Sequence, residues 1–164
     1  MRTSDNGIAL IKAHEGLRLR AYDDLQPHVA LTQASHIEGT VTIGYGHTKT
    51  ADVGMVISRG EAERLLRDDV RHFEAGLNKL IAECQVESLG QYQYDALISF
   101  AYNVGLKALA DSTLWAELLL GRYAEAAEEF LRWRYSKGRE LPGLVKRRMD
   151  ERRMFLGFPP ERTA

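Results

Sequence analysis

His14-Glu15-Gly16-Leu17-Arg18-Leu19-Arg20-Ala21-Tyr22-Asp23-Asp24, followed after a loop by Thr40-Val41-Thr42-Ile43-Gly44-Tyr45-Gly46-His47, is the stretch on which the fold turns. Upstream, Ser4 or Asp5 caps a helix carrying Ile8, Leu10 and Ile11, and Gly16 is placed to end it. Leu17, Leu19 and Ala21 then alternate with Arg18, Arg20 and Tyr22, the period of a half-buried strand. Asp23-Asp24 closes that strand, and Pro27 excludes a simple tight hairpin. Residues 29–39 read as a long β-connection with room for a further short hairpin. Val41 and Ile43 form a returning strand, and Gly44 and Gly46 mark a turn that needs positive φ or close backbone approach. The stretch thus sets an acid, Glu15, at a helix end and a second, Asp24, nine residues on where a strand gives out. A hydroxyl, Thr42, stands on the neighbouring strand.

Beyond Gly54 the periodicity becomes helical. Ser58-Arg59-Gly60-Glu61 is a capping box opening a long helix to about Glu83, with Leu66, Val70, Phe73 and Leu77 at helical spacing. Further helices are expected from about Gln91 to Val104, from Ser112 to Gly121, from Tyr123 to about Tyr135, and from Pro142 onward. In the last, Leu144, Val145 and Met149 suit a core face, and Phe158-Pro159-Pro160 starts a frayed tail. The expected architecture is α+β in one domain over residues 1–164. A small β-lobe, about 16–57, is joined by the long helix to a helical lobe, about 58–158 plus the N-terminal helix. A cleft between two such lobes suits an extended polymer better than a small metabolite.

A length of 164 residues fits one domain with a sizeable core. The single cysteine, Cys84, excludes an intramolecular disulfide framework and is expected as a buried apolar filler on a helix. The formal charge of −1 hides an asymmetry, since residues 132–153 hold nine Lys/Arg against three Asp/Glu. Such a tail serves anionic polymers or membranes, or is simply a solvated helix face. The polar N-terminus and the short apolar run at residues 8–11 provide neither a signal-peptide core nor a membrane span, so a soluble cytoplasmic chain is expected.

Glycosidic bond cleavage needs a proton donor at the leaving oxygen and a carboxylate near the carbon that becomes positive. A helix C-terminus carries partial negative charge and favours the neutral acid expected of Glu15. Asp24, beside Asp23 and Gln26, is expected to be wetter and ionised, with Asp23 as the fallback. Thr42 would hold a water. Spacing alone leaves plainer readings open: a helix-terminal surface acid, a turn-forming aspartate and a β-favouring threonine. His14, His36 and His47 lack the spacing of a metal motif, and no metal or other cofactor is expected. His47 after a glycine turn suits a turn-fixing role, and Arg147 and Arg148 either pair acids near Glu15 or are surface charge.

These residues carry a resemblance. Glu15-Gly16-Leu17-Arg18-Leu19, Ala21-Tyr22 and Asp24, then the Thr42-to-Thr48 segment, resemble the phage-type lysozymes, the endolysin muramidases of glycoside hydrolase family 24. The segment from Gln93 to Gly105 resembles that family's central helix, and Leu141-Pro142-Gly143-Leu144-Val145-Lys146-Arg147-Arg148 with Glu151 its C-terminal signature. The resemblance implies hydrolysis of the β-1,4 bond between N-acetylmuramic acid and N-acetylglucosamine in bacterial peptidoglycan. Glu15 would be the general acid, Asp24 the water-directing carboxylate and Thr42 the third member of the triad. Gly46, His47, Tyr102 and Asn103 match saccharide-lining positions. It implies a monomer that needs no cofactor, binds glycan strands and not nucleic acid, and inserts in no membrane. The chain would stay in the host cytoplasm until a separate holin releases it to the wall. A lytic transglycosylase, or a non-catalytic wall-binding or virion module, are the alternatives. One departure stands out: the family joins the aspartate and threonine by a tight turn, whereas residues 25–41 place seventeen between Asp24 and Thr42.

Overall fold

The first helix, α1 (Asp5–Glu15), is started by a partner ninety residues away in sequence. Asp95, buried on α3 (Gln91–Val104), accepts the Ser4 N–H at 2.9 Å and also the Ser4 hydroxyl. Gly7 makes the approach possible, because a Cβ there would lie 2.9 Å from the Asp95 carboxyl. The helix stops at Glu15, with Gly16 at φ 70°, a conformation L side chains resist.

The computed structural model describes residues 1–159 as an α+β fold of two units. One comprises Glu15–Arg71; the other comprises Met1–His14 and the chain from His72 onward. The helix α2 (Arg59–Glu83) begins in the first and ends in the second. Its start is the expected capping box: the Ser58 N–H donates to Glu61 at 2.7 Å and the Glu61 N–H to the Ser58 hydroxyl at 3.2 Å. Cys84, just past its end, is exposed rather than buried. No helix of the described residues is long and apolar enough to cross a membrane.

The helical unit is built around α3, in which every residue from Tyr94 to Ala101 is buried. On it pack α4 (Leu106–Ala110) and α7 (Pro142–Phe155), while α5 (Thr113–Leu119) packs on α6 (Tyr123–Glu129). Phe100 is the hub. Its ring meets Phe130 at 5.4 Å and Trp133 at 5.2 Å, both edge-on, while the Arg148 guanidinium lies 4.9 Å over it. The helix expected to reach Tyr135 ends at Glu129 in a 3-10 turn, Phe130–Arg132. Trp133 then packs on Phe100, and Tyr135–Ser136 pairs with Arg139–Glu140 as a two-stranded hairpin. Lys137 and Gly138 both have positive φ, as a two-residue hairpin loop requires.

The C-terminal helix reverses the expected amphipathicity. Met149 is exposed and Leu144 and Val145 are half-buried, whereas Arg147, Arg148 and Glu151 are buried with Met154 and Phe155. The charges are tolerated there because they are paired with one another. Arg147 Nε donates to Glu151 at 3.1 Å, Arg148 Nε faces its other oxygen at 3.0 Å, and the Ser99 hydroxyl donates to Glu151 at 2.8 Å. Arg147 also reaches the Ser99 carbonyl at 3.1 Å, so the ion cluster fixes α7 on α3. The frayed tail expected from Phe158-Pro159-Pro160 lies, from Pro160 on, outside the described residues.

The other unit holds β1 (Arg18–Asp23) and β2 (Val41–Gly44), antiparallel, with Tyr22 opposite Thr42 and Asp23 opposite Val41. A third extended segment flanks β1: the Ile57 N–H donates to the Leu19 carbonyl and the Ala21 N–H to the Met55 carbonyl. Residues 25–40 form turns and no strand of their own.

Replacing Glu151 by alanine would leave two guanidiniums buried without their carboxylate. Urea unfolding is expected to show a loss of about 3–5 kcal/mol, the cost of breaking a buried ion pair from one side. A loss below about 1 kcal/mol would mean that water compensates the arginines.

Candidate active site

Strand pairing brings Asp24 and Thr42 together despite the long excursion between them. The antiparallel ladder continues past Asp23 and Val41 to the Asp24 N–H, which donates to the Thr40 carbonyl at 3.2 Å. The Thr42 hydroxyl donates to that same carbonyl at 3.0 Å, while the Thr40 N–H donates to Asp24 Oδ1 at 2.7 Å. One residue, Thr40, therefore holds both candidates. Asp24 is exposed and the Thr42 side chain lies within the strand pair, 4% accessible.

Asp23 and Asp24 have opposite environments. Asp23 is 1% accessible, and its carboxylate accepts the N–H groups of Leu25 and Gly39 at 3.0 Å each and of Glu38 at 2.7 Å. Burial acts to raise this carboxyl, but the backbone donors at Glu38, Leu25, Gly39 and Gln26 outweigh it and hold it below the ordinary carboxylate range. A carboxylate so enclosed and occupied is a structural ion, which favours Asp24 over Asp23 as the chemical group.

Glu15 begins this same unit, half-buried at the end of α1. Its link to Asp24 is read at Tyr22, whose ring carries the Arg18 guanidinium at 5.1 Å. Burial pushes the Tyr22 hydroxyl above the ordinary phenol range. Arg18 pulls it down, and the carboxylates of Asp24 and Glu15 both push it up. Both acids thus lie within electrostatic reach of one hydroxyl, on the strand position facing Thr42. The signal in the sequence for Tyr22 is its place two residues before Asp24, on the same strand face.

Gly44 and Gly46, at φ 66° and 86°, form the turn that follows β2. Reciprocal bonds of 2.9 Å between the Ile43 and His47 backbones close it. His47 is buried, with Nδ1 2.7 Å from Asp69 on α2 and Nε2 2.8 Å from the Thr50 hydroxyl. The Thr50 N–H also donates to Nε2 at 3.1 Å, which assigns the ring proton to Nδ1. The His47 ring therefore ties the turn to α2. His14 Nε2 faces Asp150 at 3.1 Å.

Tyr102 and Asn103 belong to the helical unit, at the end of α3. The Tyr102 ring packs on Phe73 at 5.2 Å. Asn103 is exposed, and its Oδ1 accepts from Arg148 Nη2 at 2.8 Å, leaving its amide N–H₂ oriented by a buried cation.

Against known proteins, residues 12–151 match the family described as Phage lysozyme. The chain belongs to that family. It is 48% identical over 158 residues to an endolysin of Bacillus phage B103, covering 95% of this chain and 54% of that protein. The chain thus spans about half the length of this Bacillus phage relative. An endolysin of Acyrthosiphon pisum secondary endosymbiont phage 1 is 40% identical, covering 94% of this chain and 98% of that one. Among solved structures, the endolysin from Escherichia coli O157:H7 phage FAHEc1 superposes with a TM-score of 0.78 at 33% identity, covering 98% of both chains. The fold is lysozyme-like.

The depressed Asp23 carboxyl sets a sign for acid behaviour. Its contribution is complete above about pH 4, the ordinary aspartate value, and is lost as pH falls through the lower folded value. Amide exchange at Leu25, Glu38 and Gly39 is expected to stay slow at pH 4.5 and to accelerate only under stronger acid. Asp23→Asn should remove that transition from these three amides; its persistence would assign it to another group.

Proposed function

We propose that this phage lysozyme family member hydrolyses the β-1,4 bond between N-acetylmuramic acid and N-acetylglucosamine in bacterial peptidoglycan, as an endolysin that lyses the host. Residues 1–164 are read as one catalytic domain, with a β-lobe of about 16–57 and a helical lobe of about 58–158 plus the N-terminal helix. Glu15 protonates the leaving glycosidic oxygen. Asp24, ionised, directs a water at the anomeric carbon, and the Thr42 hydroxyl holds that water. The observation that carries the reading is the joint hold of Thr40 on Asp24 and Thr42, with Glu15 and Asp24 acting on the same Tyr22 hydroxyl.

The saccharide contacts fall to Gly46 and His47 at the glycine turn and to Tyr102 and Asn103 at the end of α3. An aromatic ring and an oriented amide suit a sugar's C–H face and acetamide group. His47 contributes through its backbone, since its ring is occupied by Asp69 and Thr50. The chain acts as a monomer without a cofactor, remaining in the host cytoplasm until a separate holin opens the way to the wall.

Purified peptidoglycan provides the test. Glu15→Gln is expected to lower the rate of muropeptide release about a thousandfold, and Asp24→Asn by about a hundredfold or more. Mass analysis should show hydrated reducing ends. Anhydro-muramic ends would instead assign a lytic transglycosylase and remove the water-directing role from Asp24. An undiminished Glu15→Gln variant would rule out the acid role of Glu15, whereas a wild type that releases no muropeptides would leave only a wall-binding or virion module.

A further inference from the structure

We propose that Asp23 is a positioning residue: its buried carboxylate clasps the two limbs of the 25–40 excursion and so fixes the Asp24 carboxylate. The proposal rests on the role given to Asp24 above.

The need for such a clasp follows from chain length. A tight hairpin fixes the register of its strands through the turn itself. An excursion of this length cannot, because closing it costs entropy and its interior conformations are many. Residues 25–40 have no strand ladder of their own, yet the pairing on either side stays in register up to Asp24 and Thr40. Asp23 provides the closure. Its Oδ1 accepts one N–H from the outgoing limb, Leu25, and one from the returning limb, Gly39; its Oδ2 accepts a second from the returning limb, Glu38. The carboxylate is shielded from water, so solvent does not compete for these donors.

The clasp acts on Asp24 through two consecutive amides. Gly39 donates to Asp23 and Thr40 donates to Asp24, so the orientation imposed on the first peptide directs the second. The packing is tight enough that a side chain at position 39 would force the neighbouring side chains to shift. A Cβ there would lie 2.0 Å from Asp24 Oδ1 and 2.6 Å from Asp23 Oδ1. With Oδ1 of Asp24 held by Thr40, its Oδ2 serves the water. Asparagine is no substitute at position 23, because its single acceptor oxygen cannot serve both sides and its amide would meet an N–H donor.

The test is a double-mutant cycle on the full chain, with kcat and KM for release of soluble muropeptides measured alongside melting temperature. Asp23→Asn is expected to lower kcat about a hundredfold, the cost of misplacing a reacting group by about 1 Å, with KM changed less than about twofold. On an Asp24→Asn background the same change should cost nothing further, because Asp23 acts only through Asp24. A kcat within about threefold of wild type in Asp23→Asn, or a full multiplicative loss in the double variant, overturns the proposal while Asp24→Asn alone keeps its own loss of about a hundredfold. A fully active Asp24→Asn variant instead sinks the role of Asp24, and this proposal with it. Should Asp23→Asn not fold, Asp23→Glu keeps the charge but moves the carboxylate away from the Leu25, Glu38 and Gly39 donors. Loss of kcat at unchanged KM in that variant supports the clasp, and wild-type kcat overturns it.

Discussion

Antiparallel register is the constraint from which the candidate chemistry follows. Because Tyr22 stands opposite Thr42 and the ladder runs on to Asp24 and Thr40, a carboxylate and a hydroxyl distant in sequence are bonded to one residue. A shift of one residue would turn Thr42 to the other face and bring a different peptide to Asp24. The glycine turn after β2 secures the other end of the strand. His47 bonds it to Asp69, and the positive-φ glycines allow the chain to reverse within three residues.

In the helical unit the corresponding hold is ionic and aromatic. Arg148 lies on the Phe100 ring, faces Glu151 and donates to Asn103, so a buried charge orients an exposed amide at the end of α3. Desolvating two arginines is costly, and Glu151, Ser99 and the aromatic face together offset that cost. Each unit thus presents polar groups at its surface from a foundation removed from water.

Much of this was legible in the sequence because local chemistry and tertiary structure agree there. The Ser58 capping box, the glycine ending α1, the returning strand at Val41 and the helix beginning at Pro142 appear at or next to their expected places. The failures share a cause: partners distant in sequence. Arg147 and Arg148 stay open between acid-pairing and surface charge because nothing local shows that Ser99, Asn103 and Phe100 await them. The helix from Tyr123 stops early because Trp133 is drawn to Phe100. Asp23 and Asp24 are alike as a dipeptide; only the returning limb at Glu38 and Gly39 separates an enclosed carboxylate from an exposed one. Cys84 shows the converse, an average burial preference overridden where α2 runs out.

A loop sealed at its neck by side-chain bonds is mechanically insulated from the strands that carry it. The bonds at the neck of the 25–40 segment involve positions 23–25 and 38–40, leaving the stretch between them outside the constraint that aligns Asp24 with Thr42. Evolution can therefore lengthen, trim or recompose that tip as an exchangeable cassette, adapting what the β-bearing unit touches without resetting that alignment. Variation should gather at the tip and stop at Gly39, where even a methyl group would push on the Asp23 and Asp24 carboxylates.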